Sequence, residues 1–151
     1  MTAVADTLIT PRMILRRPRA ADLDMFAAYA ASPRSVHVGG PMDAAAAFDR
    51  FSKYIGHWVL RGYGRYILER NGNPIGHTGP THVDATRCPE MTWTLWSGAH
   101  EGQGLATEAA RAVLHHLMVD CGWPQLNAMI LPENESSARV AERLGALPTD
   151  A

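Results

Sequence analysis

The chain has 151 residues, the length of one domain, and its 46% hydrophobic and 19% charged content is that of a packed globular protein rather than a disordered one. Fourteen Lys and Arg against fifteen Asp and Glu leave a formal charge of -1, which argues against the concentrated basic surface that nonspecific nucleic-acid binding needs. Two cysteines, Cys88 and Cys121, are too few for a disulfide framework, and no run approaches the ~18 uninterrupted apolar residues of a membrane span.

Residues Met1 to Asp6 lack the basic-then-apolar layout of a signal peptide, so a cytoplasmic location is expected. Without repeats, low-complexity tracts or charge blocks, residues 1–151 read as a single domain. Met13-Ile14-Leu15 predicts a first strand, ended by Pro18. Leu23, Phe26, Ala27 and Ala30 recur at helical spacing from Ala21 to Ala31. Asp43 caps a second helix whose buried face carries Ala47, Phe51, Ile55 and Trp58, and Gly62-Tyr63-Gly64 breaks it. Arg65 to Arg70 and Ile75 to Gly79 read as strands joined by an Asn71-Gly72-Asn73-Pro74 turn. Glu90 to Trp96 alternates as a further strand, with Met91, Trp93 and Leu95 on one face and Glu90, Thr92 and Thr94 on the other. Glu101-Gly102-Gln103-Gly104 bends into a long helix reaching about Asp120. Leu126 to Leu131 reads as a strand, and a last helix runs from an Asn134 cap to a Gly145 stop. Strands placed singly, then as a meander, then alternating with helices predict a layered α/β or α+β domain with a mixed sheet.

The stretch from Trp93 to Leu117 carries the chemistry. A helix opening directly after small residues presents unpaired N–H groups with a favourable dipole, and Gly102, Gly104 and Ala106 would let a phosphate reach that backbone. Glycines ahead of a helix also serve simple chain reversal, and spacing alone leaves both readings open. Two nucleotide motifs fail: no Gly-Lys-Ser/Thr ending marks a P-loop, and the third glycine of a dinucleotide fingerprint is absent. Neither cysteine has a His spacing that implies an activated pair, and the seven scattered histidines suggest no metal site.

Gly102-Gln103-Gly104-Leu105-Ala106-Thr107-Glu108-Ala109, taken with Pro132-Glu133-Asn134-Glu135-Ser136-Ser137 and the helix to Gly145, resembles the GNAT family of acyl-CoA-dependent N-acetyltransferases. The opening Pro11 to Arg16 and the strand Glu90 to Leu95 are similar to its RimJ/RimL-like branch, which acetylates ribosomal proteins. The resemblance implies a twisted mixed sheet flanked by helices, with acetyl-CoA as co-substrate, no metal, and a primary amine (a protein N-terminus or small molecule) as acceptor. Carried over residue by residue, it implies that main-chain N–H groups of Gln103, Gly104, Leu105, Ala106 and Thr107 hold the CoA diphosphate. Leu95 and Trp96 would offer backbone to the pantetheine arm, and Asn134 would contact it. Glu90 stands as general base or as a solvated strand-end carboxylate. Ser137 stands as proton donor to the thiolate or as an ordinary first-turn serine.

The pattern also breaks. Glu101 is an acid where the family often has Gln or Arg, so it is expected to turn into solvent. Ala141 replaces the tyrosine that many relatives carry on the last helix. The family's last two strands are expected to be missing after Leu147-Pro148, which makes self-association into a homodimer through the uncovered edge an expectation. A noncatalytic acyl-CoA-binding or assembly module is the alternative function.

Overall fold

The computed structural model describes residues 2–149; Met1, Asp150 and Ala151 lie outside them. One antiparallel sheet runs in the order β1-β2-β3-β4-β5, with β1 at Thr7–Ile9, β2 at Ile14–Arg16, β3 at Tyr66–Arg70, β4 at Asn73–Thr81 and β5 at Glu90–Leu95. The helices are α1 (Leu23–Ala31), α2 (Ala44–Arg61), α3 (Leu105–His115) and α4 (Glu135–Arg143). This is the helix-flanked α+β layering expected.

The sheet divides the interior. On one face Leu15, Tyr66, Leu68 and Met91 pack against Leu105, Ala109 and Val113 of α3. On the other, Ile67 and Trp96 pack against Phe26 of α1 and Phe51 of α2. A bulge in β4 sets this division: Leu68 pairs with Gly76 and Glu69 with Pro74, leaving Ile75 as the extra residue. Ile75 therefore joins the α3-side core, while His77, opposite Ile67, sits among the aromatic rings of the α1–α2 side. Gly76 is obligatory here, because a Cβ would collide with the Thr94 carbonyl.

Local signals work as read. The Asp43 carboxylate accepts the Ala46 N–H at 2.8 Å to open α2, and Gly62 ends it in the left-handed conformation. Asn71 and Gly72 supply the positive φ values of the hairpin turn. A buried ion pair ties β2 to the start of α1: Arg16 makes two 2.9 Å bonds to Asp22 and a 2.8 Å bond to Glu69. The fork raises the Arg16 pKa still further, the Asp22 bonds outweighing desolvation.

Three elements differ from the sequence reading. β1 is an additional strand of three residues, too short to show a period. The long helix is α-helical only to His115; residues His116–Asp120 form a π-turn, closed by Cys121 N–H to the His116 carbonyl at 3.0 Å. The expected strand Leu126–Leu131 makes a single parallel bridge, Asn127 to Glu90. There Met91 N–H meets the Asn127 carbonyl at 2.6 Å and Asn127 N–H meets the Pro89 carbonyl at 3.0 Å, and no further rung forms. A cleft lies between the two segments beyond that point.

Candidate functional site

The cleft has a volume of about 1390 Å³ and is lined by β5 from Met91 to Leu95, by Ala128 to Leu131, by the start of α3 and by the first turns of α4. β5 offers it an unpaired edge. Trp96 N–H is used by the Ile75 carbonyl of β4 at 2.8 Å, whereas Met91 N–H points the other way, to Asn127. Alternation along a strand then places the main-chain groups of Trp93 and Leu95 on the cleft side. The Leu95 carbonyl is taken by Arg34 Nη2 at 3.2 Å.

At one end stands the N-terminus of α3. Gly104 takes the N-cap position at φ 75°, and a Cβ there would meet only Arg12 Nη2, at 3.7 Å. The first bond into the helix is Glu108 N–H to the Gly104 carbonyl, at 3.0 Å. No acceptor among the described residues takes the N–H groups from Gln103 to Thr107. Thr107 is only 6% exposed, and its Oγ1 is buried without a hydrogen-bond partner on the same wall. A row of bare donors at a helix N-terminus is an anion site.

The surrounding charge agrees. Glu108 lines the cleft but is neutralised: its carboxylate accepts from Thr10 Oγ1 at 2.7 Å, Arg12 N–H at 3.1 Å and Arg12 Nε at 2.7 Å. Burial acts to raise the Glu108 pKa, but these bonds outweigh it and hold the carboxyl below its ordinary value. Glu101 is neutralised too, by Arg34 Nη2 at 2.8 Å, rather than simply turned into solvent. Arg111, Arg139 and Arg143 also line the cleft, and no carboxylate among the described residues pairs with them.

Of the residues singled out in the sequence, Leu95, Gly104, Leu105, Ala106, Thr107, Asn134 and Ser137 come together on this cleft. Leu105 sends its side chain into the core and contributes backbone. Asn134 caps α4, its Oδ1 accepting Ser137 N–H at 3.3 Å, so its amide nitrogen is left to donate. Gln103 is not part of the cleft lining, and its side chain is engaged elsewhere, accepting from Arg70 at 2.9 Å and donating to the Ala99 carbonyl at 3.2 Å. Trp96 is not on the cleft. Its amide is consumed by β4, and its indole is buried on the α1–α2 side. Glu90 is exposed at the bridge with Asn127, outside the cleft lining.

Sequence reasoning missed Arg34, Thr92, Thr94 and Tyr29 on the cleft wall. Burial pushes the Tyr29 phenol up to about 12, so it stays a neutral hydroxyl. A Cys–His–Asp alignment is also present away from the cleft: Cys121 Sγ lies 3.6 Å from His116 Nε2, and His116 Nδ1 lies 2.9 Å from Asp120. It is not an activated nucleophile. His116 Nε2 already accepts the Ala5 N–H at 2.9 Å, and Cys121 is buried.

A family model described as "Acetyltransferase (GNAT) domain" matches residues 12–147. The chain belongs to the GNAT acetyltransferase family. Its fold is similar to the crystal structure of an acetyltransferase from Agrobacterium tumefaciens, with a TM-score of 0.86 and 33% identity over 100% of this chain and 92% of that one. The neighbours of this GNAT domain include RimL, the ribosomal L7/L12 α-N-protein acetyltransferase, in a complex with coenzyme A. At 14% identity, a TM-score of 0.73, and 91% and 81% coverage, that likeness is one of fold. In sequence the chain is 34% identical to the YkkB protein of Bacillus subtilis over 91 residues, 56% of this chain and 52% of that protein, so the match spans about half the length of this curated relative. No helix among the described residues is long and apolar enough to cross a membrane.

Proposed function

We propose that the chain transfers an acetyl group from acetyl-CoA to a primary amine by direct attack in a ternary complex, the acceptor being a protein N-terminus or a small amine. The observation that carries this is the row of unpaired N–H groups from Gly104 to Thr107, opening onto the same cleft as the free edge of β5. The residues suit the co-substrate. The orphaned Thr107 hydroxyl and the bare Gly104 cradle match a diphosphate, Arg111, Arg139 and Arg143 match further phosphate charge, and the β5 edge matches an amide-bearing arm.

Acetyl-CoA, when bound, supplies an acyl group activated as a thioester. The main-chain groups of Trp93 and the N–H of Leu95 align the arm in place of a neighbouring strand, and the Asn134 amide nitrogen donates to it. One β5 N–H supports negative charge developing on the carbonyl oxygen. An amine acceptor is largely protonated near neutrality, with a reference pKa of ~7.7–8 for an α-amine and ~10.4 for lysine. Glu90 accepts the surplus proton through water, since it stands outside the cleft lining, and Ser137 returns a proton to the leaving thiolate. Trp96 takes no part.

Gly104→Trp tests the assignment. A folded variant should lose CoA binding by calorimetry; unchanged affinity would remove the diphosphate site. A noncatalytic acyl-CoA-binding module is the second reading, favoured by Ala141 and by the position of Glu90 outside the cleft lining. Thiol release with a panel of amines separates the two, because the transferase alone turns over.

A further inference from the structure

We propose that Arg34 is a positioning residue for CoA binding, which holds the Glu101 carboxylate off the diphosphate rim. The proposal rests on the assignment of that rim to the start of α3.

Glu101 sits in the loop just ahead of Gly104 and lines the cleft, so its charge lies where an incoming diphosphate would meet it. The countercharge comes from a remote element. Arg34 belongs to the 3-10 segment Pro33–Val38, 67 residues earlier in the chain. One of its nitrogens, Nη2, bonds Glu101 Oε1 at 2.8 Å and the Leu95 carbonyl at 3.2 Å, pinning the loop to the end of β5. The turn that leads to Glu101 fits around the same guanidinium, since a Cβ on Gly98 would come within 3.4 Å of Arg34 Nη1.

Hydrogen bonding accounts for only part of the placement. Arg34 Nε is buried without an acceptor, an unfavourable state that the contacts at the other end of the fork must outweigh. Nor does a half-exposed ion pair add much to stability. Its effect falls on whatever anion approaches the rim: with Arg34 in place Glu101 is half of a neutral pair, and without it the loop presents a free negative charge.

Calorimetry with CoA and with pantetheine, which lacks the diphosphate, tests this on wild type, Arg34→Gln, Arg34→Lys, Glu101→Gln and the double variant Arg34→Gln/Glu101→Gln. Arg34→Gln should weaken CoA about five- to tenfold at low salt and less at high salt, with pantetheine unaffected. Arg34→Lys keeps the charge and should stay within about twofold of wild type, as should the double variant, in which nothing is left to neutralise. Melting temperatures should be alike throughout. An equal loss from Arg34→Gln whichever residue occupies position 101, no loss at all, or a loss shared by pantetheine would overturn the proposal. With wild-type CoA binding intact, such a result sinks the Arg34 role alone. A wild type that ignores CoA, or a Gly104→Trp variant that binds it normally, sinks the rim assignment beneath it.

Discussion

Trp96 donates its indole N–H to Nδ1 of His77 at 3.0 Å, inside the aromatic cluster between the sheet and helices α1 and α2. That bond uses the Nδ1 lone pair, so a proton added at Nδ1 would displace it. The Arg65 guanidinium lies 3.2 Å from Nε2, so protonating the imidazole would bring two cations together in a buried place. Desolvation first, and Arg65 second, hold the His77 pKa well below its ordinary 6.5.

A pH dependence of stability follows. The unfolded chain binds a proton at His77 below about pH 6.5 and the folded chain does not, so stability is intact above that value and declines as pH falls beneath it, by up to about 1.4 kcal/mol per pH unit. His57, lowered mainly by desolvation although its bond to the Tyr63 carbonyl opposes this, adds a smaller slope of the same sign. Urea midpoints measured from about pH 7.5 to 5.5 should fall in the wild type and fall less in His77→Asn. Equal slopes would mean that His77 takes up its proton in the fold as readily as in the unfolded chain.

Thr107→Val removes a hydroxyl that no protein group uses. Stability should hold or rise, by less than about 1 kcal/mol, while CoA affinity drops about fivefold. A destabilised variant with normal affinity would show that the hydroxyl serves the helix rather than the ligand. Thermal melts and calorimetry on one preparation decide it.

Glu90→Gln should lower kcat about a hundredfold and remove the acidic limb of the pH–rate profile, with CoA affinity unchanged. Ser137→Ala should cost about tenfold in kcat. Thiol release measured across pH checks both, and full activity in either variant rejects that residue's role.

The Arg16–Asp22 pair predicts a different outcome. Asp22 is 2% exposed and also accepts the Arg19 N–H at 2.8 Å. Asp22→Ala leaves a buried guanidinium with Glu69 as its remaining carboxylate and should cost about 3–5 kcal/mol in urea unfolding. A loss below about 1 kcal/mol would mean that water replaces the carboxylate.

Much of the fold is written locally. Asp43, Ala47, Phe51 and Trp58 declare α2 by cap and spacing; Asn71-Gly72 declares the hairpin; Asn134 and Gly145 bracket α4. What depends on register or on distant pairing is not. Trp96 reads as one more residue of the β5 strand until the Ile75 carbonyl claims its amide. Glu101 reads as a charge without a partner, because nothing in spacing links it to Arg34 across 67 residues. The segment after Asn127 has strand composition, yet strand composition cannot say whether a neighbour pairs with it or parts from it. The GNAT motifs on α3 and α4 mark the rim of the cleft because backbone geometry there follows from glycine and cap residues; the arginines around it follow from packing.

The extra residue Ile75 is accommodated within β4 alone, and the pairing with β3 closes up on either side of it. Excising it would let Gly76 follow Pro74 directly and make the ladder regular, with Gly76 still opposite Leu68 and His77 still opposite Ile67. An aliphatic side chain would vanish from beneath α3, while His77 and its indole partner kept their places. Such a deletion would wound one half of the core and spare the other, and its signature would be a cavity rather than a shifted frame.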